Sequence, residues 1–283
     1  MIIDIHTHIF PDIIAERTID KLSKEAHIHP YTDGTAKGLL KSMEDSAVNL
    51  SVIVPVATNP GQVVKINDNS ARINEIYGKD GLLSFGCMHP EYEDYKNEIK
   101  RMKRLGLKGV KLHPVYQGTD IDDVRFLRII EASAEEGLIV ITHAGLDVGF
   151  PGKVNCSPKM CRNVVKEIGD FPFICAHMGG WKNWEEVPEY LADTKVYLDT
   201  AFSTGVITPR SGEEGHWDPE EKKMLDEDGF LKMLYAFGAD RLLFGTDSPW
   251  TDQSESKAFI EDLYISKEEK EKILGKNAER LLS

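Results

Sequence analysis

Eight short apolar runs recur along the 283 residues, and their alternation with helical patterns constrains the fold more than any single motif. They cover residues 2–5, 50–57, 82–88, 107–112, 138–142, 172–176, 195–199 and 241–245. Each is rich in Val, Ile, Leu or Phe, which suits strands buried on both faces. Amphipathic stretches such as 92–105, 121–136 and 160–168 lie between them, and the last, 266–282, opens on the capping-box pair Ser266 and Glu269. Parallel strands need crossover helices, so eight strand–helix repeats predict a (β/α)8 TIM-like barrel. A doubly wound open sheet would carry a glycine-rich phosphate loop, and the nearest candidate, Gly179-Gly180, lacks the spacing. The expectation is one domain, residues 1–283, with two elaborations. A helical insertion (12–25) follows the first strand, and a long polar loop (202–228) follows the seventh.

Charge narrows the partners. With 34 Lys and Arg against 47 Asp and Glu the net charge is −13, which argues against nucleic acid or an anionic membrane. The first residues, MIIDIHTHIFPDII, lack the basic start of a signal peptide. No apolar run reaches the ~18 residues of a membrane span. Four cysteines make no disulfide framework, and the Cys156/Cys161 spacing is not that of a zinc knuckle. A cytoplasmic enzyme with reduced thiols and a small-molecule substrate is expected; a homo-oligomer is compatible with this.

Six of the nine histidines fall at the C-terminal ends of the runs: His6, His8, His89, His113, His143 and His177. Random placement would put about one there, on the face where such barrels keep their chemistry. Alternation places Asp4, His6 and His8 on one side of the first strand and Ile3, Ile5 and Thr7 on the other. With the apolar side turned to the helices, the histidine pair points into the barrel mouth, where two imidazoles ~7 Å apart at Cα can converge on one ion. The same alternation groups Lys111 with His113, Ile139 and Ile141 with His143, and Phe173 and Cys175 with His177. The eighth strand delivers Asp247 through FGTDSPW. Imidazoles with one carboxylate favour zinc, with manganese, iron and cobalt as alternatives.

The ordered set DIHTH, KLHP, ITHAG, AHMGG and FGTDSPW, with the closing ILGKNAERLL, resembles the amidohydrolase superfamily. The closer similarity is to its branch of aminocarboxymuconate-semialdehyde decarboxylase and related lactonases. The resemblance implies His6, His8, His143 and Asp247 as metal ligands, Asp247 as the base that deprotonates water, and His177 as a residue that polarises substrate or shuttles protons. KLHP also resembles the KLYP of dihydroorotases, whose lysine is carbamylated. On that pattern Lys111 bridges two ions, with His143 and His177 binding the second. Otherwise Lys111 is an inward lysine paired to Asp247 or Asp4. One ion, or two, is therefore expected. His113, Arg210 and Trp181 are the expected substrate contacts, with Arg162 as an alternative cation for a substrate carboxylate. His89 fits packing and site lining equally, and the loop residues His27, His29, Tyr31, His216 and Trp217 are read as solvated. The resulting expectation is a metal-dependent hydrolase of a small lactone, amide or ester, with a carboxylate on the substrate. The first alternative is a non-oxidative decarboxylase of an unsaturated or aromatic acid, and the second a non-catalytic metal-binding protein.

Overall fold

The computed structural model describes all 283 residues as short parallel strands alternating with helices. In chain order the first half runs β1 (Ile3–Thr7), α1 (Asp12–Ala26), α2 (Ala36–Ser46), β2 (Leu50–Ile53), α3 (Val63–Tyr77), β3 (Leu82–Ser84), β4 (Gly86–Cys87), α4 (Tyr95–Arg104), β5 (Gly109–Leu112), α5 (Pro114–Gln117) and α6 (Val124–Glu135). The second half runs β6 (Ile139–Thr142), α7 (Pro158–Ile168), β7 (Phe173–Cys175), α8 (Val187–Leu191), β8 (Tyr197–Asp199), α9 (Pro219–Lys222), α10 (Glu227–Phe237), β9 (Leu242–Leu243), α11 (Gln253–Asp262), α12 (Lys267–Glu271) and α13 (Asn277–Leu282). This is a TIM-like α/β fold. No helix is long and apolar enough to cross a membrane.

Neighbouring strands follow chain order, in one ladder from β1 to β3 and a second from β4 to β9. The ladders do not join into one continuous closed sheet, and hydrogen bonds outside the ladders span the two seams. At one, Phe85 N–H donates to Ile53 O at 2.9 Å; at the other, Ile5 N–H donates to Phe244 O at 2.9 Å and Asp247 N–H to His6 O at 2.8 Å. The third apolar run is thus two strands rather than one. The cause lies on α3: Asn74 takes the backbone N–H and C=O of Ser84, and Asn67 those of Cys87, drawing them out of a straight ladder.

The expected face of β1 is corrected. Ile3 and Ile5 point inward, in a cluster with Val52, Phe85, Ile139, Ile141 and Ile174 from the other strands. Each fully buried isoleucine contributes about 1.5–3 kcal/mol to the fold. Asp4 points outward, where it accepts hydrogen bonds from Thr246 N–H (3.0 Å), Thr246 Oγ1 (2.6 Å) and Gln253 Nε2 (2.7 Å). Strands buried on both faces give the inner side to aliphatic residues as readily as the outer, so the polar face of β1 had no reason to be the inner one. On β7 likewise Ile174 and Ala176 face inward, while Phe173 and Cys175 pack against helices.

The insertion after β1 forms α1 as expected. The long loop 202–228 holds one turn of helix, α9, and two isolated bridges, Thr204 with Leu225 and Val206 with Lys223. The final helix is interrupted by a π turn at Lys272–Lys276. A Cβ on Gly275 within that turn would stand 2.0 Å from Met1 O, so only glycine lets the turn close over the start of β1. The four cysteines are free and buried.

Candidate active site

Although Ile5 faces inward, His6 and His8 still reach the mouth, because the pairing of β1 with β2 slips between Asp4 and Thr7. This irregularity breaks strict alternation and aims His6 at the C-terminal end of the strands. Asp247 and His177 arrive by a different device. Both have left-handed backbones, φ 65° and 59°, which turn each side chain off the path its strand would give it. Non-glycine residues held in this conformation cost of order 1 kcal/mol or more and collect at functional sites.

The three side chains from β1 and the end of β9 meet closely. His8 Nε2 lies 2.9 Å and His6 Nε2 3.3 Å from the same oxygen, Asp247 Oδ1. His6 Nδ1–H donates to Asp199 Oδ2 at 2.9 Å, which leaves a lone pair on His6 Nε2. That lone pair accepts from Lys111 Nζ at 3.1 Å. The lysine is fully buried, and burial pushes its pKa down while Asp199 and Asp247 oppose the shift. Burial pushes Asp247 up, but its contact with His8 and the nearby Lys111 outweigh it, so its pKa lies below the usual carboxylate range. Asp199 also accepts from the backbone N–H groups of His177 (2.8 Å) and Ala201 (3.2 Å). His177 Nδ1–H donates to Ala201 O at 2.9 Å, and burial lowers the ring's pKa to about 4. His177 is therefore neutral at pH 7, with a bare lone pair on Nε2.

A second group adjoins the first. His113 from the end of β5 stacks on His143 from the end of β6, with ring centroids 4.4 Å apart and planes 14° from parallel. Asp147 Oδ2 lies 3.5 Å from His113 Nε2 and 3.7 Å from His143 Nε2. His143 Nε2–H donates to Leu146 O at 3.0 Å, and Asp147 accepts from Gly149 N–H at 2.8 Å. Burial raises Asp147 to about 6. His113 Nδ1 is buried with no hydrogen-bond partner. His177 links the groups, its ring 5.2 Å from His6 and 4.7 Å from His143.

The family model for amidohydrolases matches residues 3–283. The chain belongs to the amidohydrolase family. No functionally curated protein matches it. Among solved structures, it is similar to an uncharacterised TIM-barrel protein from Bordetella bronchiseptica (TM-score 0.74, 19% identity, 99% of this chain and 98% of that one). It is also similar to a dihydroxybenzoic acid decarboxylase from Polaromonas, solved with manganese and 2-nitroresorcinol (TM-score 0.70, 14% identity, 99% and 96%). A third similar structure is a protein from Pseudomonas putida assigned as a 2-pyrone-4,6-dicarboxylic acid hydrolase (TM-score 0.67, 18% identity, 99% and 97%). At these identities the likeness speaks for the fold.

The residues at the mouth fit a divalent cation, and His6, His8 and Asp247 form one of three groups close enough to hold one. Donors that share an ion at ~2.1 Å in tetrahedral array stand ~3.4 Å apart, and the separations of 2.9 and 3.3 Å about Asp247 Oδ1 are of that size. His6 and His8 meet at 69°, so their in-plane lone pairs can converge. His143, the other expected ligand, lies in the neighbouring group and has a lone pair only on Nδ1. Lys111 touches His6 rather than Asp4, which is occupied by Thr246 and Gln253.

Of the expected substrate contacts, His113 stands at the mouth. Arg210 is ion-paired to Glu213 (3.0 Å) and Asp20 (3.1 Å), and Arg162 to Asp193. Trp181 is buried over the mouth, its backbone paired with Ala144 and Leu146 and its indole N–H without a partner. His89 is buried, its Nδ1 accepting from Glu91 N–H at 3.2 Å. Two site residues were not singled out in advance. Asp199 closes the seventh run, the same strand-end position that marks the histidines. Asp147 follows His143 by four residues.

Proposed function

We propose that this chain is a metal-dependent hydrolase acting on a small, carboxylated lactone, amide or ester. One observation carries the proposal: the Asp247 carboxylate, held ionised, faces two imidazoles of which one, His6, is oriented by its own carboxylate, Asp199. His6, His8, His143 and Asp247 would hold the cation, zinc ahead of manganese, iron or cobalt. A cation there supplies Lewis-acid polarisation of the substrate carbonyl and acidifies water to about pKa 7. The manganese of the Polaromonas relative supports a divalent ion in this fold.

The chain's own residues then divide the work. Asp247 takes the proton of the attacking water at its carboxylate oxygen and returns it to the leaving group. His177 Nε2, an acceptor because its Nδ1 proton is committed to Ala201 O, serves as a proton shuttle rather than as the group that polarises the carbonyl. Asp199 keeps His6 in one tautomer. Lys111 lies against His6 as a single-ion partner, with a bridging role between two ions as the alternative count. With Arg210 ion-paired elsewhere, His113 and Trp181 are the substrate contacts that remain. Residues 1–283 serve this site as one domain in the cytoplasm, on a small molecule rather than nucleic acid or membrane, in keeping with the charge of −13.

The test is zinc-loaded protein offered a panel of carboxylated lactones, esters and amides beside aromatic and unsaturated acids. Acid release without bicarbonate is expected. Bicarbonate release would instead make the protein a decarboxylase, as its Polaromonas relative is, and turnover of neither class would leave a metal-binding protein.

A further inference from the structure

The long loop after β8 is held at the C-terminal end of the strands by two unlike fastenings, and it packs on an aromatic cluster. All four tryptophans belong to that cluster: Trp181 packs with Phe202, Ile207 and Met224, and Trp184, Trp217 and Trp250 border them. One fastening is redundant. At the end of α1, His27 O accepts from Arg210 N–H (3.1 Å) and Trp217 Nε1 (3.0 Å). Its ring donates to Glu213 at 2.6 Å and stacks on His216 at 3.5 Å. His29 N–H adds a bond to Thr208 O at 2.9 Å. The other fastening is one side chain. Lys182 Nζ donates to Glu221 O at 2.9 Å and to Lys223 O, both at the end of α9. Its ammonium lies over the rings of Trp181 (5.6 Å) and Trp184 (5.8 Å).

The single fastening leads to the catalytic end of β7. Lys182 has a left-handed backbone, φ 60°, in the same turn as His177 and Met178, φ 59° and 53°. Trp184 Nε1–H, under the lysine, donates to His177 O at 3.0 Å. Pulling the loop away from Lys182 therefore uncovers the indole that ties the His177 backbone. We propose that Lys182 is a positioning residue: it latches residues 204–226 as a lid over the mouth, with the His27 seam as hinge, and couples the lid to the placement of His177. The ammonium meets only neutral carbonyls and indole faces, with no carboxylate in its ion pairs. Such a latch opens more readily than the multiply bonded hinge, and lids are drawn from weakly held segments.

Hydrogen exchange read by mass spectrometry on the full chain tests this without a substrate. In Lys182→Met and, as a second removal, Lys182→Gln, exchange in segments 204–226 and 177–184 should rise about tenfold or more. Exchange in β5 and β6 and the melting temperature should stay put, while acrylamide quenching of the tryptophans increases. Lys182→Arg, which keeps a donor, should restore most of the protection. Arg210→Ala should loosen 208–217 and leave 177–184 protected. The proposal is overturned if both removals leave exchange unchanged, if they raise it evenly along the chain, if Lys182→Arg is as loose as Lys182→Met, or if Arg210→Ala exposes 177–184 equally.

Discussion

Of the three groups of two histidines and an aspartate at the mouth, two that share no residue read alike in composition and differ in angle. In the group from β1 and β9, the rings of His6 and His8 meet at 69° and both approach one oxygen of Asp247. In the group from β5 and β6, the rings of His113 and His143 lie 14° from parallel, face to face. An imidazole lone pair lies in the ring plane, so stacked rings aim theirs side by side rather than at a common point. The first group offers lone pairs that can meet at one point, whereas the second forms a stacked wall beside it. Residue type alone does not tell the two groups apart; the angle between the rings does.

The largest expected effect separates the two aspartates. Asp247→Asn keeps the shape and removes the base, so the rate should fall about 10²–10⁴-fold and the acidic limb of the pH–rate profile should vanish. Asp147→Asn should cost less than tenfold and keep that limb; equal losses would erase the distinction. Metal affinity comes next. His6→Ala or His8→Ala should lose most bound zinc while the barrel stays folded, because residues at this face serve function more than stability. Asp199→Asn should weaken zinc by about 10–100-fold through the orientation of His6, and His113→Ala should leave it unchanged, all read by zinc titration.

How far the sequence carried the account is visible in particular residues. The eight runs, the helix after the first and the convergence of His6, His8 and Asp247 were legible, because strand-end histidines are too many for chance. The faces of β1 and β7 were not. A slip in pairing and a left-handed residue redirect His6 and His177 locally, and neither leaves a mark in a pattern of alternate residues. Asp199 was hidden for a different reason. Among 47 acidic residues an aspartate at a strand end looks like any loop or cap acid until its partner, His6, is placed 2.9 Å away.

Two smaller effects sharpen the comparison. His177 has a folded pKa of about 4 against 6.5 for a free histidine, so folding favours its neutral ring. That stability is complete above pH 6.5 and is lost as the pH falls toward 4, a loss of roughly 3 kcal/mol from this group. Asp4 works in the opposite sense, raised from 3.8 to about 6, so its share is lost as the pH rises through that window. Burial lowers His6, His113 and His143 in the same direction, and metal-free protein should therefore melt at lower temperature at pH 5 than at pH 7. A flat profile would contradict the buried, neutral histidines. Zinc should raise the melting temperature of wild type at pH 7 and do so much less in His8→Ala. The smallest effect concerns Lys111: Lys111→Met should leave the count at one zinc per chain, and a fall from two to one would give the lysine the bridging role.

The central claim is most directly tested by anomalous diffraction at the zinc edge from crystals grown with zinc, paired with the metal content of the same protein. One peak per chain is expected, within bonding distance of His6, His8 and Asp247. A peak between His113, His143 and Asp147 instead, or no peak at either group at full metal supply, would contradict it.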